Sequence, residues 1–328
     1  MSSGDNQSAP GTVDPSLHQT SPAAPEEVHE LIYDFWQSDP TEVWKTYIEA
    51  TDQALAAGEP VVMVSAMHGS GKSQQLFASL RNERAEDDVW SIDQLPATRS
   101  IESDTFTAGT RRGKAKLWLI DEDTAKSKEE AQIVATSISN GVVAGKQFVV
   151  AIPAPNQQTR SDIVQLTTKA LEERGIEPTY LGDITNVHIT AQRTTQLLNQ
   201  LGFRQEVVTL FEELEPLRAP RLFGGFLNAL ANKPDDNPGE VGKQDIEMML
   251  KSLILGTRNS DDKFTRAADT IAGNIVEIPL SLRPNVPFLA SCLTTADCVK
   301  LYEALDEPLP TEAGFPTQEW YEYAFHKD

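Results

Sequence analysis

Apolar positions follow two rhythms along the chain, and the change between them divides it. Val28, Leu31, Ile32, Phe35 and Trp36 recur at three- and four-residue intervals, which predicts an amphipathic helix over 26–37. Residues 38–41 break that pattern and offer Ser38 or Asp39 as the cap of a second helix, 42–57, with Val43, Trp44, Tyr47, Ile48 and Ala54 on its apolar face and Gly58 as its stop. With 88–92 as a candidate second strand, short apolar runs then take over at 60–65, 116–121 and 147–153. Each is too short for a helix and reads as a strand buried on both faces, as in a parallel sheet. Helical stretches alternate with them, at 74–80, 127–139 and 162–174, and Asn186 to Ile189 is a further short strand candidate. Four or five parallel strands alternating with helices specify a three-layer α/β fold.

From Thr190 onward the strand rhythm stops. Helices are predicted at 191–201, 205–214 and 221–231, then at 244–255, 264–271 and 295–305, with a Pro/Asp/Gly-rich loop at 233–240 and a short apolar segment at 275–282. The chain therefore divides into a tail at 1–25, an α/β core at 26–189, a helical lid at 190–232 and a mostly helical C-terminal region at 233–328. The tail is rich in Ser, Pro, Gly and Gln, the composition of a disordered segment.

Composition narrows the class. The 328 residues are 39% hydrophobic and 23% charged, ordinary values for a folded chain long enough to bury a full core. No stretch reaches the roughly 20 apolar residues of a membrane helix, and 1–25 lacks the basic start and apolar centre of a signal peptide. Two cysteines, Cys292 and Cys298, make no disulfide framework, so a cytoplasmic, reducing setting is expected. The five histidines show no metal-binding spacing. A formal charge of −21 repels nucleic acid at long range, which makes DNA a poor first partner. The basic run from Arg111 to Lys116 leaves direct nucleic-acid binding open as an alternative, against the simpler reading of solvated loop charges.

The first apolar strand closes on Ala66-Met67-His68-Gly69-Ser70-Gly71-Lys72-Ser73, followed by Gln74 at the start of a helix. Strand, glycine-rich loop and helix, in that order, are what a phosphate-binding loop requires. Gly69 and Gly71 allow backbone N–H groups to turn around a polyphosphate, the helix offers its positive end, Lys72 adds a point charge, and Ser73 is placed to hold Mg²⁺. The run at 116–121 ends abruptly in Asp121-Glu122, which delivers carboxylates to the same sheet edge. Asp121 suits the metal, and Glu122 suits polarisation of an attacking water. Asn156, just past the tip of the next strand, is placed to reach a γ-phosphate, although turn chemistry beside Pro155 would also favour Asn there.

This order of loop, Asp-Glu strand, Asn-tipped strand and helical lid resembles the AAA+ ATPase superfamily. Residues 187–198 and 219–227 are similar to the lid entry of its origin-recognition and STAND-like branch. The resemblance covers about 27–232 and implies ATP and Mg²⁺ as cofactors, a homo-oligomer, Asn156 as sensor 1 and Arg221 as sensor 2, with Arg218 as fallback. It also implies an arginine acting across a subunit boundary, for which Arg160 and Arg174 lie in the right interval and a salt bridge is the plainer role. The expected activity is ATP hydrolysis that controls assembly or partner binding. The alternatives are a nucleotide-dependent switch or scaffold with little turnover, whose acidic C-terminal region binds a protein partner, and a DNA-associated motor.

Overall fold

The computed structural model describes residues 25–39, 41–67, 69–92, 95–96, 98–121, 125, 127–153, 157–185, 187–231, 237–255, 263–275 and 293–309. Among these residues five strands, β1 (Val61–Ala66), β2 (Val89–Ile92), β3 (Leu117–Asp121), β4 (Gln147–Pro153) and β5 (Thr179–Ile184), pair in the order β2-β3-β4-β1-β5, every pair parallel. Because successive side chains in a strand point to opposite faces, the apolar runs feed two cores. Val62, Val64, Leu119 and Val149 face one layer, formed by α2 (Trp44–Ala56) and the helix that follows β1, through Trp44, Leu76, Phe77 and Leu80. Val61, Met63, Ile120 and Val150 face the other, formed by α6 (Lys128–Val143) and α7 (Gln157–Glu172). The fold is α/β, as the alternating pattern predicts. No helix among the described residues is long and apolar enough to cross a membrane.

The strand candidate at 186–189 is not a strand. Asn186 lies outside the described residues, and 187–190 form no ladder; β5 is instead Thr179–Ile184. The reason is physical. β5 is an edge strand, half exposed and carrying Gly182 and Asp183, residues that weaken strand character. The alternation at 187–189 has another cause, since Val187 packs in the sheet core and Ile189 in the helical core.

The helical core comprises α8 (Ala191–Gln200), α9 (Gln205–Glu213), α10 (Pro220–Leu230), α11 (Lys243–Leu255), α12 (Lys263–Ile275) and α13 (Thr295–Ala304). The N-terminal helix α1 (Pro25–Gln37) belongs to it too: Phe35 packs 5.8 Å from Phe223, ring to ring. The apolar stripe of α1 thus joins the helical core, while α2 joins the sheet core on its Leu76 and Leu80 face. The sharp turn between them is held by Asp39, whose carboxylate accepts from the N–H groups of Thr41, Glu42 and Lys45. Asp39 is not the N-cap that the break at 38–41 predicts: α2 begins at Trp44, its N-cap position is Val43 without a side-chain cap bond, and Asp39 reaches the first turn from outside through the Lys45 N–H.

α13 docks on the linker between the two cores. His188 Nε2 lies 3.2 Å from Asp297, its Nδ1 3.8 Å from Glu215, and Glu215 in turn holds Lys300 at 2.5 Å. Burial raises the Asp297 carboxyl, but the hydrogen bond and attraction of His188 and the bonds from Thr294 outweigh it, so its pKa falls below the ordinary value. Glu215 falls as well, chiefly through its hydrogen bond with Lys300. Both carboxyls sit lower in the folded chain than in the unfolded one, so their contribution is complete above the unfolded pKa and is lost as pH falls through the folded values. Asp297→Asn is therefore expected to destabilise the protein at neutral pH, with the gap to wild type narrowing below about pH 4 in denaturant titrations. A gap independent of pH contradicts this.

Candidate functional site

In a parallel sheet all C-terminal strand ends share one edge, and a crevice opens where adjacent strands send their connections to opposite faces. β1 continues into α3 (Ala78–Asn82) on one face and the adjacent β4 into α7 on the other, so the crevice lies at the ends of β1 and β4. The glycine-rich loop sits there. Gly69 and Gly71 have φ of 76° and 89°, the left-handed region that a side chain disfavours. Ser70, between them, is buried, and its carbonyl accepts a 2.8 Å hydrogen bond from the indole N–H of Trp44, itself fully buried. The N–H groups of Gly71, Lys72 and Ser73 meet no acceptor among the described residues. The chain then makes one wide turn of π-helix, Ser73–Phe77, with Phe77 N–H bonded to the Lys72 carbonyl. That turn tucks Gln75 inward, where its amide donates to the Trp36 carbonyl at 2.7 Å. Single π turns of this kind gather at functional sites.

Lys72, Ser73 and Asp121 come together although β4 separates their strands. Lys72 Nζ lies 3.1 Å from Asp121 Oδ2, and Ser73 Oγ lies 3.3 Å from the same oxygen. Lys72 is buried. Among the described residues no group of three His, Cys, Asp or Glu could hold a metal alone. A hydroxyl and one carboxylate, side by side, suit a hard cation that takes its other ligands from phosphate and water, as Mg²⁺ does.

A cavity of about 400 Å³ opens above the loop. Gly69, Gly71, Lys72 and Ser73 form one wall; the other comes from the helical core, through Ile32 and Trp36 of α1 and Pro220, Arg221, Gly224, Gly225 and Asn228 of α10. Arg221 lies against the loop so closely that a Cβ built on Gly69 would stand 2.7 Å from its Cβ and Cδ. Two consecutive glycines inside a helix cost about 1 kcal/mol each relative to alanine, so they mark a close approach. Gly225 meets Ile271, where a Cβ would stand 3.1 Å from Cγ2, and Gly224 meets Trp36 at 3.6 Å.

The sequence-derived site residues fall into three groups. Gly69, Ser70, Gly71, Lys72, Ser73, Asp121 and Arg221 are brought together, with Ala66 and Met67 buried beneath as the end of β1 and its continuation. For Gln74 the backbone lies in the π turn. His68, Glu122 and Asn156 lie outside the described residues. The remaining arginines have structural partners: Arg218 donates to the Ile189 carbonyl, and Arg174 is bonded to Gln132 and Thr136 of α6. Arg160 is buried, paired in two-pronged fashion with Asp183 of β5 at 2.7 and 3.0 Å, and Asp183 also accepts from Ser65. Neither exposed surface pairing nor a protruding finger describes it. The basic run is likewise engaged. Arg111 pairs with Glu86 and Asp87, Lys116 with Asp88, and Arg112 lies over the Trp118 ring. Trp36, Trp44, Gln75 and the Gly224-Gly225 pair are site residues that motif reading passes over; of these, only the two glycines mid-helix carry a signal visible in sequence.

Breaking a buried ion pair from one side leaves a charge uncompensated, whereas replacing both partners is often nearly neutral. Arg160→Met is expected to destabilise by about 3 kcal/mol in denaturant titrations, and Arg160→Met with Asp183→Leu to recover most of that. A single-variant loss under about 1 kcal/mol, the value of an exposed pair, contradicts the assignment. The chain matches no protein-family model, and no curated protein matches it in sequence.

Proposed function

We propose that this protein is a Mg²⁺-dependent ATPase with the P-loop architecture of the AAA+ superfamily. The observation that carries the reading is the meeting of Lys72 and Ser73 with Asp121 within 3.3 Å, beneath a cavity whose far wall presents Arg221. The residues fit a triphosphate and its metal. Lys72 and Arg221 line a space of about 400 Å³, the N–H groups of Gly71, Lys72 and Ser73 meet no acceptor among the described residues, and glycine lines the loop where a side chain would collide with Arg221. The β-strand order supports the reading further, because β4 lies between β1 and β3, and so between the strand that leads into the loop and the strand that ends in Asp121.

The roles follow from the chemistry of each group. Peptide N–H groups at Gly71 to Ser73 would orient the anion, and Lys72 would leave Asp121 for phosphate oxygens. A divalent cation held by Ser73 and Asp121 would supply charge neutralisation at the transferred phosphoryl group. Glu122, following Asp121 directly, would align and deprotonate water, with Asn156 and Arg221 contacting the γ-phosphate. Most of the rate would come from positioning and charge stabilisation. In this reading the helical half closes over the nucleotide, and hydrolysis controls homo-oligomer assembly or a protein partner, the acidic C-terminal region being one surface for it.

Purified protein is expected to release phosphate from ATP only with Mg²⁺. Glu122→Gln should retain ATP binding while turnover falls at least about a hundredfold. Lys72→Ala should lose binding itself. Equal turnover in wild type and Glu122→Gln contradicts the catalytic assignment, and tight binding without turnover in wild type favours the nucleotide-dependent switch.

A further inference from the structure

The geometry points to Trp44 as a positioning residue that aims the phosphate-contacting peptide of the glycine loop. This inference rests on the functional reading above. In a planar trans peptide the C=O and the following N–H point in opposite directions. The Ser70 carbonyl points at the buried Trp44 indole, 2.8 Å away, so the N–H of Gly71 points the other way, toward the cavity that Gly71 lines.

That orientation is not secured by the loop itself. Glycine at 71, with φ of 89°, has no Cβ to hinder rotation of the Ser70–Gly71 peptide, which can turn over at little steric cost. The Ser70 hydroxyl is buried and makes no hydrogen bond among the described residues, so it holds nothing in place. The indole N–H, by contrast, comes from a fully buried side chain in the sheet core, on a helix whose entry turn is fixed by Asp39. A Cβ on Gly71 would stand 3.5 Å from that indole nitrogen, so the two pack flush. Trp44 therefore selects one of two peptide orientations, the one that presents a donor to an anion. The packing of a tryptophan alone would not require the contact to be made through nitrogen.

The test separates phosphate recognition from general stability. Trp44→Phe keeps an aromatic ring and removes the donor; replacing Trp44 alone by its benzothiophene isostere keeps shape as well. Affinities are read for Mg-ATP, for inorganic triphosphate and, by saturation-transfer NMR, for adenosine. Both variants are expected to bind ATP and triphosphate about tenfold more weakly, the scale of one lost buried hydrogen bond, and adenosine as wild type does. Should Trp44→Phe fold poorly, the isostere decides. Unchanged triphosphate affinity in the isostere, or equal weakening for adenosine, overturns the inference. A wild-type chain that binds no triphosphate overturns the ATPase reading instead, and does so before either variant is made.

Discussion

The contact of Lys72 with Asp121 across the intervening strand is the interaction on which the rest depends. It exists because all five strands run in one direction, so that the loop after β1 and the acid ending β3 emerge at the same edge. A charge pair at that edge is partly shielded from water and therefore felt more strongly than on an open surface. Sheet topology brings Lys72, Ser73 and Asp121 together, and the helical core adds Trp36 and Arg221.

The site is also a boundary. Sheet core and helical core meet across it, and α1 and α2, adjacent in sequence, belong to different cores. Among the described residues two ties cross the boundary at the loop, Gln75 to the Trp36 carbonyl and Arg221 against Gly69, while Arg193 to Ser38 joins α8 to the end of α1 within the helical half. The sequence division at 232 does not separate two cores, since α8 to α10 share one hydrophobic cluster with α11 to α13. A ligand in the cavity would touch both halves, so its binding energy acts on their relative position as well as on its own retention.

Much of this was legible in the chain and some was not, for reasons that differ from element to element. β1, β3 and β4 are buried on both faces and read as unbroken apolar runs. β5 is half exposed and was hidden by Gly182 and Asp183, while Val187 and Ile189, serving two cores, imitated a strand. α7 begins at Gln157, five residues before the predicted start, because its first turn is polar and its buried residue there is Arg160, a charge that hydrophobic periodicity ignores. α6 runs on through Gly141, which reads as a stop but is needed where a Cβ would stand 2.3 Å from the Phe148 ring. The loop and Asp121 were legible because their chemistry is local; Trp36, Trp44 and Gln75 acquire meaning only through contacts between elements.

The most direct measurement is backbone hydrogen exchange of the whole chain with and without Mg-ATP. New protection is expected in two places far apart in sequence, the glycine loop with its following turn and the first turns of α10, because both line one cavity. Protection confined to other segments, or exchange unchanged at saturating nucleotide, would contradict it.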